Sequence, residues 1–123
     1  MVSNRGKEDL RQAYTKVDRI LKRGEFLRLA KHGKKVQNRH FIAVVAKSPF
    51  ERTRLGVTVS RKVGPAVTRN RIKRYLREHF RLNKHDIKGK LDINIIAKKA
   101  TAGLSSDQAF ISLKSIFNSI KEL

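Results

Sequence analysis

The first clear apolar pattern in the chain is helical. Residues 24–33, GEFLRLAKHG, bring Phe26, Leu29 and Ala30 to one face at the i, i+3, i+4 spacing of an α-helix. Gly33 follows two basic residues, a combination typical of a helix end. The sequence therefore predicts a helix here with one apolar side.

Three later segments have the patterns of strands. Residues 40–47 form a continuous apolar run suited to a buried strand, and residues 91–97, LDINIIA, place alternate apolar residues on one face. Residues 54–60 alternate most cleanly, because a strand turns successive side chains to opposite faces. The two faces of this segment carry Leu55, Val57 and Val59 on the core side, and the small residues Gly56, Thr58 and Ser60 on the other.

Two further helices complete the pattern. Gly64-Pro65 is typical of a helix start, with Thr68 as an alternative cap, and this helix is predicted to run to about Leu82. Ser105 and Gln108 have the spacing of a capping box. The last helix then presents an apolar stripe of Ala109, Leu113, Ile116, Phe117 and Ile120.

The order helix, strands, helix, strand, helix predicts a small α/β sandwich, with helices packed on a sheet of about four strands. We expect one strand to be split near Gln37 and Asn38. Residues 1–17 are polar and weakly periodic, and we expect a mobile basic N-terminal arm there. Residues 18–123 are then expected to form a single domain.

The net charge of the chain says more about its function than its length does. Lys and Arg number 30 against 10 Asp and Glu, a formal net charge of +20. Repulsion of this size opposes compaction, so a polyanionic partner is expected, and nucleic acid fits better than an anionic membrane. No apolar run approaches the roughly 18 residues that span a bilayer. The chain has no cysteine and no secretion-type apolar segment at its N-terminus, which favours a cytoplasmic protein.

The densest charge lies in RNRIKR, residues 69–74, inside the predicted central helix. Helical geometry separates Ile72, Leu76 and Phe80, a core stripe, from an opposite cationic face. That face comprises Asn70, Lys73, Arg74, Arg77 and Arg81. Its only intrahelical counter-charge is Glu78, four residues after Arg74. A phosphate backbone accounts for this face better than solvent does.

Several classes of protein fit less well. The four histidines and ten acids are scattered, so the sequence indicates no catalytic side chain and no metal site on the protein. A helix–turn–helix DNA-binding protein is disfavoured because a strand and a Gly-Pro break precede the basic helix. A structural RNA-binding protein of the ribosomal type remains the main alternative. Asn70 itself is ambiguous, since its amide suits either a nucleotide edge or a brace for the loop before the helix.

The segment RLGVTVSRKVGPAVTRNRIKRYLREHF, residues 54–80, resembles the signature of the bacterial ribonuclease P protein family. RILKRGEFLRLAKHG and QNRHFIAVVA upstream, and DINIIAKKA downstream, resemble it too, so the similarity covers about residues 19–120. The resemblance implies an α+β fold of the ribosomal-protein-domain type with a rare left-handed βαβ crossover. It also implies a protein that joins a catalytic RNA to remove the 5′ leader from precursor tRNA. Mg²⁺ would then be held mainly by the RNA and the substrate, with neither membrane nor DNA as a partner.

The resemblance assigns two RNA-binding surfaces. The first, facing the catalytic RNA, is carried by Arg69, Asn70, Arg71, Lys73 and Arg74. The helical pattern adds Arg77 and Arg81 to this surface. The second is a cleft between the first helix and the sheet that holds the single-stranded leader, with Phe26, Arg61, Lys62, Lys98 and Lys99 along it. The small strand face of Gly56, Thr58 and Ser60 is a candidate for the cleft floor.

The cleft departs from the family pattern at two positions: one that often carries an aromatic residue is Ala30 here, and one that can carry an aromatic residue is Val44. Stacking of a base on an aromatic ring is worth roughly 1–3 kcal/mol. We therefore expect the leader to be held more by charge and Phe26 than by a ladder of rings. Phe41 is a possible substitute, although a core position suits it better.

Overall fold

The structure is a computed structural model that describes residues 16–123. Its helices are α1 (Arg23–His32), α2 (Ala66–Asn83) and α3 (Ser106–Lys121). Its strands are β1 (Lys34–Gln37), β2 (Phe41–Lys47), β3 (Arg54–Thr58) and β4 (Leu91–Ala97). Short 3₁₀ turns occupy Lys16–Asp18, Lys84–Asp86 and Lys99–Gly103. The predicted N-terminal arm falls almost entirely outside the described residues.

The four strands form one mixed sheet in the order β1-β2-β4-β3. β1 and β4 both run antiparallel to β2, whereas β3 and β4 are parallel and joined through α2. The strand that was expected to be split is a hairpin, with residues 38–40 as its turn between β1 and β2. The predicted α+β fold with three helices on a four-stranded sheet is confirmed.

The crossover from β3 through α2 to β4 is left-handed. Leu55 points its side chain into the core beneath α2, while its carbonyl accepts a hydrogen bond from the Ile20 amide at 3.0 Å, on the side of β3 away from β4. Consider a strand of L-residues that runs upward, viewed so that the side chain of one residue points at the viewer. The N–H and C=O of that residue then point to the right. β4 therefore lies to the left of β3 when α2 faces the viewer, which is the rare hand.

The two faces of the sheet are covered by different helices. α2 and α3 pack on one face over the main core, which is built from the predicted stripes, including Ile72, Leu76 and Phe80. α1 packs on the opposite face over a smaller cluster of Ile20, Leu29 and Val44. This division leaves the cationic side of α2 facing outward and places α1 beside the proposed cleft.

The ends of the elements correct several predictions. Pro65 is the N-cap of α2 and Ala66 its first residue, so neither Gly64 nor Thr68 is the cap. β3 ends at Thr58, two residues before the predicted end. Ala30 is exposed and does not belong to the buried side of α1. The capping box of Ser105 and Gln108 is confirmed.

Candidate RNA-binding surfaces

The cationic face of α2 is open to solvent. Asn70, Arg74 and Arg77 are exposed and Lys73 is half-buried. Within residues 16–123, no carboxylate lies within 4.0 Å of the charged groups of Lys73, Arg74 or Arg77. These three cations are therefore available to a polyanion without first breaking an ion pair in the described part of the chain.

The acid of this helix pairs differently from the prediction. Glu78 lies 2.5 Å from Nη2 of Arg81, three residues later, and the expected pair with Arg74 does not form. The hydrogen bonds from Arg81 lower the pKa of Glu78 below its usual value. Arg81 is thus partly neutralised, and the free cationic surface is centred nearer the middle of α2.

The two arginines of the RNR stretch flank this face and reach back into the protein. Nε of Arg69 donates to the Gly64 carbonyl at 3.2 Å, which braces the loop between β3 and α2. Nη2 of Arg71 donates to the Ala102 carbonyl at 2.8 Å, which ties α2 to the 3₁₀ turn after β4. The loop before the helix is therefore braced by Arg69, the role that was weighed for Asn70.

Phe26 lies on the other face of the sheet, where its ring covers Gly56. A Cβ built on Gly56 would lie 2.5 Å from Cε1 of Phe26, so the glycine provides space for the ring. Thr58 beside it donates a hydrogen bond to Oδ1 of Asn94 at 3.0 Å. The small strand face is thus partly filled by the protein itself, and the half-buried Phe26 ring forms part of the surface that remains.

A buried ion cluster holds α1 against this face. Arg54 donates two hydrogen bonds to Asp92, at 2.9 Å from Nε and 2.7 Å from Nη2, and Asp92 is fully buried. From α1, Glu25 lies 2.6 Å from Arg54 and Arg28 lies 2.6 Å from Asp92. The hydrogen bond to Asp92 is the main cause of the raised pKa of Arg54. Glu25 and Arg28 flank Phe26, so the cluster fixes the rotation of the helix that presents the ring.

This cluster was not predicted from the sequence. Asp92 and Asn94 interrupt the apolar run of β4, and a carboxylate inside a buried strand signals a charged partner. Arg54, at the start of the neighbouring strand, was available to supply that partner. The pattern alone did not identify α1 as the source of the other two charges.

The four other predicted cleft cations gather at the carboxyl ends of β3 and β4. Arg61 and Lys62 are exposed on the loop after β3, while Lys98 and Lys99 follow β4 directly. Because β3 and β4 are parallel, both pairs lie at one edge of the sheet. Lys98 continues the alternate series of β4 that faces α1, and it therefore shares a face with Phe26.

Phe41, Val44 and His79 have core positions. Phe41 is fully buried in the main core, and Val44 lies under α1. His79 contacts the rings of Phe110 and Phe117, and burial lowers its pKa to about 4. The core position favoured for Phe41 is confirmed.

No group of three or more His, Asp or Glu side chains within residues 16–123 is arranged to hold a metal ion. Asp18, Glu25, Glu78 and Asp92 are all engaged by arginine or lysine. In the same residues, no helix is long and apolar enough to cross a membrane.

Comparison with known proteins decides the family. The profile described as Ribonuclease P matches residues 14–121. The ribonuclease P protein component of Desulfatibacillum aliphaticivorans is 54% identical over 110 residues, covering 89% of this chain and 93% of that protein. The chain belongs to the ribonuclease P protein family. Its function is that of a protein component of ribonuclease P, and the ribosomal-type alternative is not favoured.

Solved structures of the ribonuclease P family support the same assignment. The Staphylococcus aureus RNase P protein matches with a TM-score of 0.81 at 36% identity, covering 85% of this chain and 95% of that one. The Thermotoga maritima RNase P protein matches with a TM-score of 0.75 at 34% identity, covering 85% and 96%. The mixed sheet and the three helices are thus shared with experimentally determined members of the ribonuclease P family.

Proposed function

We propose that this chain acts in a cytoplasmic ribonuclease P ribonucleoprotein by holding precursor tRNA through its 5′ leader while the RNA subunit carries out the cleavage. The observation that carries this proposal is the placement of two cationic surfaces on different sides of one small domain. One is the outer face of α2, and the other is the sheet face beside Phe26. A protein with two such surfaces can bind two RNA segments at once.

We assign the outer face of α2 to the RNA subunit. Arg74 and Arg77 are exposed, and a guanidinium can contact one phosphate with two parallel hydrogen bonds. Asn70 and Lys73 extend the same face, with Arg81 at its end. Arg69 and Arg71 contribute from the rim, where each also braces a loop.

We assign the leader to the face that carries Phe26. A base can stack on the accessible part of the ring, while Arg61, Lys62, Lys98 and Lys99 at the sheet edge take the phosphates. No second aromatic residue is available at Ala30 or Val44. The leader is therefore held through its backbone charge more than through a series of stacked bases, and little sequence preference is expected.

The protein contributes to the metal chemistry without binding Mg²⁺ itself. Mg²⁺ would be bound by phosphates of the RNA subunit and the substrate. The carboxylates of Asp18, Glu25, Glu78 and Asp92 are already paired with arginines. When bound, Mg²⁺ supplies activation of the attacking water and stabilisation of charge on the phosphate. The protein lowers the Mg²⁺ concentration that is required, since its cations offset repulsion between two RNA chains.

Reconstitution with the RNA subunit tests this proposal. The purified protein alone should not process precursor tRNA, and the combined subunits should cleave it at low, near-physiological Mg²⁺. Binding to ribosomal RNA and duplex DNA, measured over a salt series, gives the comparison for specificity. Robust cleavage by the protein without RNA would contradict the proposal.

A further inference from the structure

The ammonium group of Lys98 is held in place without being neutralised. Its Nζ donates to Oε1 of Gln37 at 2.8 Å and to the backbone carbonyl of Asn38 at 2.7 Å. Both acceptors are uncharged, and no carboxylate in residues 16–123 lies within 4.0 Å of this nitrogen. An ammonium has three N–H donors, so a full positive charge and one donor remain.

The backbone of Lys98 is fixed as well. Its amide donates to the His40 carbonyl at 2.8 Å, and its carbonyl accepts from Oγ1 of Thr101 at 2.7 Å. Thr101 is fully buried. These contacts fix the start of the side chain, while the two neutral acceptors fix its end.

The neutral acceptors belong to a braced turn. Oδ1 of Asn38 accepts from the amides of His40 and Phe41, both at 2.9 Å. Its Nδ2 donates to the carbonyl and to Oγ of Ser112 on α3, at 2.9 and 3.1 Å. The amide group of Asn38 therefore joins the turn between β1 and β2 to α3 and sets the direction of the carbonyl that Lys98 meets.

We propose that Asn38 and Gln37 are positioning residues that hold the Lys98 ammonium, still fully charged, as a binding site for one phosphate of the single-stranded leader. The inference rests on the proposed function, because it takes the sheet face beside Phe26 as the leader path. Gln37 pairs with Ile42, which lies on that face, so the amide and the ammonium lie together there. Asn94 lies beside Phe26, and the distance along the chain from Asn94 to Lys98 is about 13 Å at the usual rise per residue of a strand.

Neutral acceptors suit this task better than an acid would. A carboxylate at the position of Gln37 would hold the ammonium equally well, but it would cancel the charge that the phosphate needs. If Gln37 only stabilised the turn, a carboxylate in its place would serve at least as well, because an ion pair with Lys98 would brace the turn as firmly as the neutral contact. The two roles therefore predict different results for one isosteric substitution.

Gln37→Glu is that substitution. In the holoenzyme reconstituted with the RNA subunit, we expect it to weaken binding of leader-carrying precursor tRNA about fivefold to tenfold at low salt. The slope of log affinity against log salt should fall by about 0.7, the value for one single-strand phosphate. Affinity for the same tRNA without a leader should not change, and the thermal stability of the protein should be equal or higher.

The matched control is Gln108→Glu. It makes the same isosteric change on α3, where Gln108 contacts Ser105 and not Lys98, and it should leave leader affinity unchanged. Asn38→Ala provides a second variant. It removes the side-chain hydrogen bonds that direct the Asn38 carbonyl, and it should therefore reduce leader affinity. Gln37→Glu binding like the unsubstituted protein, or weakening both tRNAs equally, would overturn the inference while leaving the leader cleft intact. Equal affinity of the unsubstituted holoenzyme for both tRNAs would overturn the cleft and the inference together.

Discussion

The ring of Phe26 lies so close to Gly56 that the glycine cannot gain a methyl group without displacing it: the added carbon would be 2.5 Å from Cε1 of the ring. Phe26 is on α1 and Gly56 on β3, so their contact sets the distance between the helix and the sheet. This contact determines how the ring is presented on the proposed leader face.

Gly56→Ala should therefore shift Phe26 and weaken leader binding. We expect affinity for leader-carrying precursor tRNA to fall about tenfold, since losing one stacked base costs roughly 1–3 kcal/mol. The matched control is Gly24→Ala on α1, because its added carbon meets nothing within 4 Å. Equilibrium binding of both variants checks this, and equal affinities would show that the position of the ring does not matter to the leader.

Asp92→Asn should destabilise the fold strongly. The substitution leaves Arg54 buried without its bidentate partner, and removing one member of a buried ion pair typically costs about 3–5 kcal/mol. Glu78→Gln is the control, because the pair with Arg81 is only half-buried at the surface and surface pairs contribute about 1 kcal/mol or less. Chemical denaturation at fixed salt measures both changes; similar small losses would mean that the buried cluster contributes little.

Stability should also fall between neutral and mildly acidic pH because of His79. Its pKa is lowered to about 4 in the folded protein, from 6.5, by burial. The unfolded chain therefore takes up a proton first as the pH falls, and stability present above pH 6.5 is lost towards pH 4. We expect His79 to account for a loss of about 2 kcal/mol between pH 7 and pH 5.

Denaturation of His79→Gln at the two pH values checks this prediction, since the variant should lack that part of the loss. The exposed His85 provides the comparison, and His85→Gln should retain the full pH dependence. An unchanged pH dependence in His79→Gln would show that the buried imidazole is not its source.

The parts of the fold that follow from periodicity were predictable. The stripe of Ile72, Leu76 and Phe80 is buried because the helical repeat of 100° per residue places these side chains on the one side that packs on the sheet. The strand β4 was predicted with its observed bounds. The apolar pattern reports which side of an element faces a core. It does not report which helix covers each face of the sheet, and that required the structure.

The partners of the charged residues were much less predictable. Arg71 reaches a carbonyl 31 residues away, and Glu78 selects Arg81 over Arg74. Such choices depend on side-chain direction and on loops that the chain brings together only after folding. The sequence identified which residues carry charge, whereas the structure shows which of those charges the protein has already used.

A crossed binding measurement tests the division of the protein into two RNA surfaces. Phe26→Ala and the double variant Arg74→Ala/Arg77→Ala are each assayed for affinity to the RNA subunit and, in the reconstituted holoenzyme, for affinity to precursor tRNA with and without its leader. Leu27→Ala is the control for Phe26, since Leu27 is its exposed neighbour on α1.

We expect Phe26→Ala to lose about tenfold in affinity only for the leader-carrying substrate and to assemble normally with the RNA subunit. The double arginine variant should weaken assembly and lower its salt slope by about one per lost phosphate contact, while retaining the preference of the assembled enzyme for a leader. Identical effects of the two lesions on leader-dependent binding would contradict the division of surfaces.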